Sequence, residues 1–170
     1  LYLAARLLVG EHDDVRIVLV GAQAPRPAEN AEVARLFDET GAGRHVVAGY
    51  RFLGSAEVFA HFLPADVCVF PSTYEPFGLV ALEAMASGCP CIVADTGGLR
   101  EIVPEDERVG LRFNGGDAEH LAAMVERLLT DDPLRERLVA EASEHVLRFD
   151  WVDVARQTAE IYGGVARAAV

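Results

Sequence analysis

Five short apolar runs recur along this chain, most of them closed by a turn residue and followed by a segment of helical spacing. They are Val15–Val20 before Gly21, His45–Ala48 before Gly49, Val67–Phe70 before Pro71, Cys89–Ala94 before Asp95, and Leu111–Phe113. Runs this short, with almost no alternating polar residues, are strands buried on both faces. A parallel sheet covered by helices has such strands. The segments between them fit that reading. Leu1–Gly10 sets Leu3, Leu7 and Leu8 on one helical face, and Ala28–Thr40 does the same with Val33, Leu36 and Phe37 before stopping at Gly41. Ser55 is the expected N-cap of a helix through Leu63, with Glu57 near its positive end. Thr96–Val103 opens with a glycine-lined turn and enters a short helix. Asp117 is expected to cap a helix over 117–129, and Pro133 to stand first in one over 133–147. Asp150 begins a last helix carrying Trp151, Val154 and Ile161. The predicted fold is α/β, a doubly wound parallel sheet of Rossmann-like type. Ligands of such sheets bind at the carboxyl ends of the strands, so the loops at Gly21, Gly49, Pro71 and Asp95 should line one edge.

At 170 residues the chain is one domain by length, and 51% hydrophobic residues are enough for a core. A net charge of -12 without any basic run excludes a nucleic-acid partner. There is no Lys; all 15 fixed positive charges are Arg. Cys68, Cys89 and Cys91 are an odd number without a C-x-x-C, which reads as reduced thiols of a cytoplasmic protein. Two thiols without a nearby His make a poor metal site, and no metal is expected. The apolar opening, Leu1–Val9, is too short to span a bilayer and is interrupted by Arg6. No signal peptide is visible. No G-x-G-x-x-G follows any strand, which argues against a nicotinamide or flavin.

The segment Pro71-Ser-Thr-Tyr-Glu75-Pro-Phe-Gly78-Leu-Val-Ala-Leu-Glu83-Ala-Met-Ala-Ser-Gly88 carries the chemistry. Gly78 opens a helix and leaves the backbone N–H groups of the first turn uncovered. With the positive end of the helix dipole, those groups bind phosphate. Glu83 lies five residues further, about 7.5 Å along the helix axis at 1.5 Å per residue. A diphosphate on the first turn would therefore bring an attached ribose to Glu83, whose carboxylate can accept both hydroxyls of a vicinal diol. Glu75 stands on the other side of the phosphate and would meet whatever hangs from its other end. Taken singly, Glu75 reads as a solvated loop acid and Glu83 as an exposed helical glutamate. Together with Gly78, Gly88 and the preceding strand they fit a nucleotide-diphospho-sugar. Leu79, Leu82, Met85 and Ala86 around Glu83 are too apolar for a fully solvated face, so its carboxylate is expected to need partners.

The run Glu75–Gly88, a glutamate, seven residues and a second glutamate, resembles the signature of retaining nucleotide-sugar glycosyltransferases of family 4. Its flanks agree: Ala65-Asp66-Val67 and Pro71-Ser72 before it, Asp95-Thr96-Gly97-Gly98 and Glu101-Ile102-Val103 after it. Gly110-Leu111, Gly116-Asp117, Asp132–Arg135 and Phe149-Asp150-Trp151 extend the likeness over nearly the whole chain. The resemblance implies the C-terminal, donor-binding domain (residues 1–170) of a GT-B enzyme, two Rossmann-like domains with a cleft between them. It implies a hexosyl transferase acting with retention, the leaving diphosphate taking the acceptor proton. By the same likeness Glu75 is the catalytic residue and contacts the donor sugar. The amides of Phe77, Gly78, Leu79 and Val80 hold sugar hydroxyls and diphosphate, and Glu83 holds the ribose. Gly49, Tyr50 and Arg51 sit beside the base. No cofactor is implied, since the nucleotide-sugar is a substrate, and without an Asp-x-Asp no metal clamp is expected. His12, His61, His120 and His145 read as structural or solvent-facing. Gly97 and Gly98 read as turn formers near the site, and Arg100 as a surface residue.

Family members carry an Arg and a Lys after the first strand of this domain, and this chain begins beyond that point. It is thus expected to lack that strand, both cations and the N-terminal acceptor domain, its implied partner, and to be inactive alone. Membrane association is left open for the full-length protein. A second class of function is a split or non-catalytic nucleotide-sugar module that needs a partner chain. A third is another phosphate-binding Rossmann protein, such as a sugar epimerase, which the missing glycine fingerprint opposes. UDP-, GDP- and ADP-sugars suit the motif equally.

Overall fold

The computed structural model describes residues 2–12, 14–21, 31, 35, 45–50 and 53–168. In it α1 (Tyr2–Glu11) leads into β1 (Ile17–Gly21), β2 (Val46–Tyr50), α2 (Ser55–Phe62), β3 (Cys68–Phe70) and α3 (Leu79–Ala86). β4 (Cys91–Ala94), α4 (Leu99–Ile102), β5 (Leu111–Phe113), α5 (Ala118–Thr130) and α6 (Asp132–His145) follow, then a 3-10 turn (Val146–Phe149) and α7 (Trp151–Ala168). Of the helix expected over 28–40, only Ala31 and Arg35 are among the described residues, and both are helical.

Among the described residues every pairing is parallel: β1 with β2, β3 with β4, and β4 with β5. The strands begin and end within two residues of the apolar runs. Among the described residues, however, they form two ladders, β1–β2 and β3–β4–β5, and no described strand pairs the outer edges of β1 and β3. A run buried on both faces tells that a strand is covered but carries no information about which strand lies beside it.

β4 shows why these runs lack polar residues. All four of its residues are buried, none above 2% exposed. Cys91 and Val93 join the cluster of Ala81, Ala84, Met85, Leu99, Ile102 and Val103 on one face of the sheet. Ile92 and Ala94 join Ala4, Leu8, Leu111, Leu121, Leu128 and Leu138 on the other. Each aliphatic side chain buried this way contributes about 1.5–3 kcal/mol relative to exposure. The β3–β4–β5 ladder is thus doubly covered, α3 and α4 on one face, α1 and α5 on the other. In β1, by contrast, only Leu19 is buried and Val18 and Val20 are exposed, since nothing among the described residues covers that face.

Several local expectations shift. In α1 the buried residues are Ala4, Ala5 and Leu8, while Leu3 is half exposed. The small alanines let α1 lie close to α5, where His12 pairs with Glu126. The N-cap of α2 is Gly54, not Ser55: Glu57 reaches back to accept the Gly54 N–H at 3.2 Å, so no hydroxyl is needed. Asp117 caps α5 as expected, accepting the His120 N–H at 2.9 Å. α6 starts one residue early because Asp131 accepts the Leu134 N–H at 2.9 Å, which makes Pro133 its second residue, still before any backbone N–H is required. The predicted apolar face of α7 is exposed, Trp151 at 76% and Ile161 at 65%, since nothing among the described residues covers it. Among the described residues, no helix is long and apolar enough to cross a membrane.

His145, at the end of α6, is buried edge-on against Phe149 with ring centroids 5.3 Å apart. Its ring nitrogens have no aligned hydrogen-bond partner. Burial holds its pKa below the ordinary 6.5; the Ile102 backbone opposes this, Arg148 and Arg108 add to the lowering, and Asp106 pulls the other way. The unfolded chain therefore binds this proton more readily. The contribution is fully present above about pH 6.5 and is lost as pH falls through the lower folded value. The melting temperature of the protein should drop as pH falls below about 6.5, and His145→Phe should flatten that slope; an unchanged slope in the variant would remove His145 as its source.

Candidate functional site

The site is built where β3 ends. Residues 71–78 leave the sheet at its carboxyl edge and turn into α3, whose buried residues Ala81, Leu82, Ala84 and Met85 fix it to the core. Gly78 makes the turn at φ +96°, in the left-handed region that side chains rarely adopt. A Cβ there would also stand 2.8 Å from Leu99 Cδ2 and 2.9 Å from Ile102 Cδ1. The dihedral itself calls for glycine, and a side chain would in addition make the ends of Leu99 and Ile102 in α4 shift.

Not all the amides of this turn are bare. Glu75 folds back, its Oε1 accepting the Gly78 N–H at 3.1 Å and, more weakly, the Phe77 N–H at 3.5 Å. The expectation of uncovered N–H groups is corrected at these two residues: the loop's own carboxylate already stands there as the anion. The first-turn amides of Leu79 and Val80 have no hydrogen-bond partner among the described residues. Glu83 is only half buried, and no described group partners its carboxylate. Leu79 and Ala86, two of the apolar neighbours, are themselves exposed, so the expected need for partners is not met among the described residues. The side chains of Tyr74, Phe77, Leu79 and Val80 also stand out into solvent, giving the loop an apolar rim. The turn thus combines a carboxylate at the loop, free amides at a helix start and a second carboxylate further along α3. That set can take an anionic group flanked by hydroxyls.

The turn after β4 lies against this loop. Gly98 N–H donates to the Glu75 carbonyl at 2.9 Å, and the Thr96 hydroxyl to the Thr73 carbonyl at 3.2 Å. Neither contact was foreseen; a Gly-Gly pair directly after a strand was the only sign in the sequence. Arg100 is held by Asp95, Nε 2.9 Å from Oδ1 and Nη2 donating to the backbone carbonyl at 2.9 Å. Arg112 approaches the same Oδ1 at 3.4 Å and Glu105 at 3.5 Å.

Gly49 and Tyr50 end β2, paired with Val20 and Gly21, in the other ladder. No described hydrogen bond brings them to Glu75 or Glu83, and Arg51 lies outside the described residues. Among the described residues, no three or more His, Cys, Asp or Glu side chains gather as a metal site. Cys68, Cys89 and Cys91 are free and buried, the Cys89 and Cys68 sulfurs 2.8 Å apart. That contact and burial push the Cys89 thiol far above its ordinary pKa, as burial does for Cys91, so both are inert core thiols. His120 is structural, its Nδ1 accepting the Asn114 N–H at 3.2 Å.

The family model described as Glycosyl transferases group 1 matches residues 1–145. The D-inositol 3-phosphate glycosyltransferase of Corynebacterium diphtheriae is 35% identical over 156 residues, covering 90% of this chain and 35% of that protein. The chain therefore spans little more than a third of that relative's length. Among solved structures, the C-terminal domain of a glycosyl transferase group 1 family protein, LpcC, from Francisella tularensis matches with a TM-score of 0.77 and 26% identity, covering 86% of this chain and 75% of that one. Anabaena Alr3699/HepE in complex with UDP and glucose matches with a TM-score of 0.79 and 26% identity, over 96% of this chain and 44% of that one.

Because Gly78 is fixed by dihedral and by packing, Gly78→Ala should destabilise the fold by about 1–3 kcal/mol. Urea denaturation measures it; a midpoint equal to wild type would show that the turn is not strained as described.

Proposed function

The chain belongs to the glycosyl transferases group 1, and from that premise we propose that it is the donor-binding half of a retaining glycosyltransferase moving a hexose from a nucleotide-diphospho-sugar to an acceptor. The observation that carries the reading is the β3–α3 turn. There the left-handed Gly78 delivers a helix start with free Leu79 and Val80 amides, between a loop carboxylate and a helix carboxylate. A diphosphate fits the helix start, where backbone donors and the dipole receive its charge. Glu83 then accepts the ribose hydroxyls. At the other end Glu75 turns from the amides of Phe77 and Gly78 to the donor sugar, releasing those two N–H groups to the diphosphate and the sugar hydroxyls. Gly49, Tyr50 and Arg51 take the base side.

In the reaction, the bond from the anomeric carbon to the diphosphate oxygen breaks and a bond to the acceptor oxygen forms on the same face. The leaving diphosphate oxygen receives the acceptor's proton. The negative charge growing on that oxygen is met by the helix start, and charge stabilisation of this kind is the larger part of such catalysis. No cofactor or metal is assigned a part. HepE of Anabaena carries UDP, which makes UDP-sugars the first donors to test. The acceptor site belongs to a second domain. The matched relatives have length for one, and the exposed apolar residues of α7 suit contact with it. Three free cysteines suit a reducing cytoplasm.

In the full-length protein Glu83→Ala should weaken UDP binding about 10- to 100-fold, the loss of one or two hydrogen bonds to a carboxylate. Glu75→Ala should lower kcat about 100-fold or more while nucleotide affinity changes far less. Isothermal titration with UDP, GDP and ADP, and turnover with the matching sugar donors, read both effects. If both variants keep wild-type behaviour, the site lies elsewhere.

A further inference from the structure

We propose that Thr96, Gly97 and Gly98 are positioning residues for the donor: they form a seat, free of side chains at its two glycines, that sets where the Glu75–Gly78 backbone stands. The inference rests on the donor-site reading above and adds to it a determinant that no substrate group touches.

Gly98 gives the clearest sign. Its backbone, φ -63° and ψ -20°, is ordinary right-handed helix geometry open to any residue. A turn former at this position has no need of glycine. Yet a Cβ there would stand 2.5 Å from the Phe77 carbonyl oxygen and 2.6 Å from both Phe77 Cα and the Pro76 carbonyl oxygen. These are backbone atoms and cannot rotate aside. At Gly97 the Cβ would stand 2.1 Å from the Glu75 carbonyl oxygen, and φ is +44° besides. Three consecutive loop residues therefore rest on two consecutive glycines. The Gly98 N–H to Glu75 and the Thr96 hydroxyl to Thr73 fasten the two segments, and Leu99 and Ile102 continue the seat under Gly78.

The seat is the firmer partner. Thr96 N–H donates to Ala94 at 2.8 Å and Asp95 N–H to Phe113 at 2.9 Å, and Leu99 and Ile102 are fully buried. On the loop, Tyr74, Pro76 and Phe77 are exposed. A methyl added at Gly98 would be relieved by lifting the loop, about 1 Å to reach ordinary contact near 3.5 Å. A displacement of that size at a reacting geometry can cost about 100-fold. α3 beyond its first turn, held by Leu82, Ala84 and Met85, would stay in place and Glu83 with it. The effect should therefore fall on the diphosphate and sugar, not on the nucleoside.

Gly98→Ala in the full-length protein tests this, titrated with UDP-glucose, UDP and uridine. Expected are dissociation constants at least about tenfold higher for UDP-glucose and UDP, a change under about twofold for uridine, and a far-UV spectrum like wild type. Equal affinities for all three ligands would overturn the proposal, as would equal weakening of all three with a lowered melting temperature. If Gly98→Ala does not fold, Thr96→Val and Thr96→Ser carry the test, since neither puts bulk on the seat. Thr96→Val should weaken UDP-glucose about two- to fivefold, one neutral hydrogen bond, and Thr96→Ser should restore wild-type affinity. No loss in Thr96→Val, or the same loss in both, would overturn it. Wild-type protein binding neither UDP, GDP nor ADP would bring down the donor-site reading itself, and this inference with it.

Discussion

The complete burial of β4 is the constraint from which the rest follows. Cys91 and Val93 face one core and Ile92 and Ala94 the other, so this strand is shared by both layers of the protein. Its register with β3 places Phe70 beside Val93, and its register with β5 places Ala94 beside Phe113. Both neighbours thereby leave the sheet at the same edge as β4. The turn after β4 then meets the loop after β3, and Gly98 reaches the Glu75 carbonyl. A strand of four residues thus brings the Thr96–Gly98 turn and the Glu75–Gly78 loop, more than twenty residues apart in sequence, into backbone contact.

Electrostatics shapes the same edge in a second way. A chain of net charge -12 does not attract a diphosphate by its overall field. Arg100 and Arg112, which reach this edge from α4 and β5, are engaged by Asp95 and Glu105. What the edge itself offers is the oriented dipole of α3 and its amides, two free and two held by Glu75. Such dipoles act strongly only over a turn of helix. Recognition by them is short-ranged, so on the proposed reading the placement of the loop would weigh more than the overall charge.

The strands were legible as short apolar runs, and β4, buried on both faces, shows the reason most fully, although Val18 and Val20 of β1 are exposed among the described residues. Asp117 was legible as a cap because its partner, His120 N–H, lies within the same turn. Glu75, Gly78 and Glu83 stood out because their spacing along one turn and one helix is itself the geometry. What escaped were properties set by residues distant in sequence. The division into two ladders depends on edges, not on runs. The exposure of Trp151 and Ile161 depends on what else covers α7. The Gly-Gly pair marks a turn but not its purpose at Gly98, whose dihedrals suit any residue and where only the Pro76 and Phe77 backbone, brought in by the sheet, forbids a side chain. Glu75 folding onto Gly78 was hidden for a related reason: the loop's shape, not its sequence, turns the carboxylate inward.

These parts differ in stiffness, and that difference orders how a ligand would be read. Ala81, Leu82, Ala84 and Met85 fix α3 to the core, so the backbone that carries Glu83 is held firmly. The loop that carries Glu75 is exposed on its outer side and held on its inner side by two hydrogen bonds and the seat. A nucleoside would then be met by a fixed frame and a sugar by a loop whose height is set by contact with two glycines. Glycine is the one residue that lets backbone rest on backbone at that distance. On the proposed reading, specificity for the sugar would depend on a surface that gives the ligand no functional group of its own.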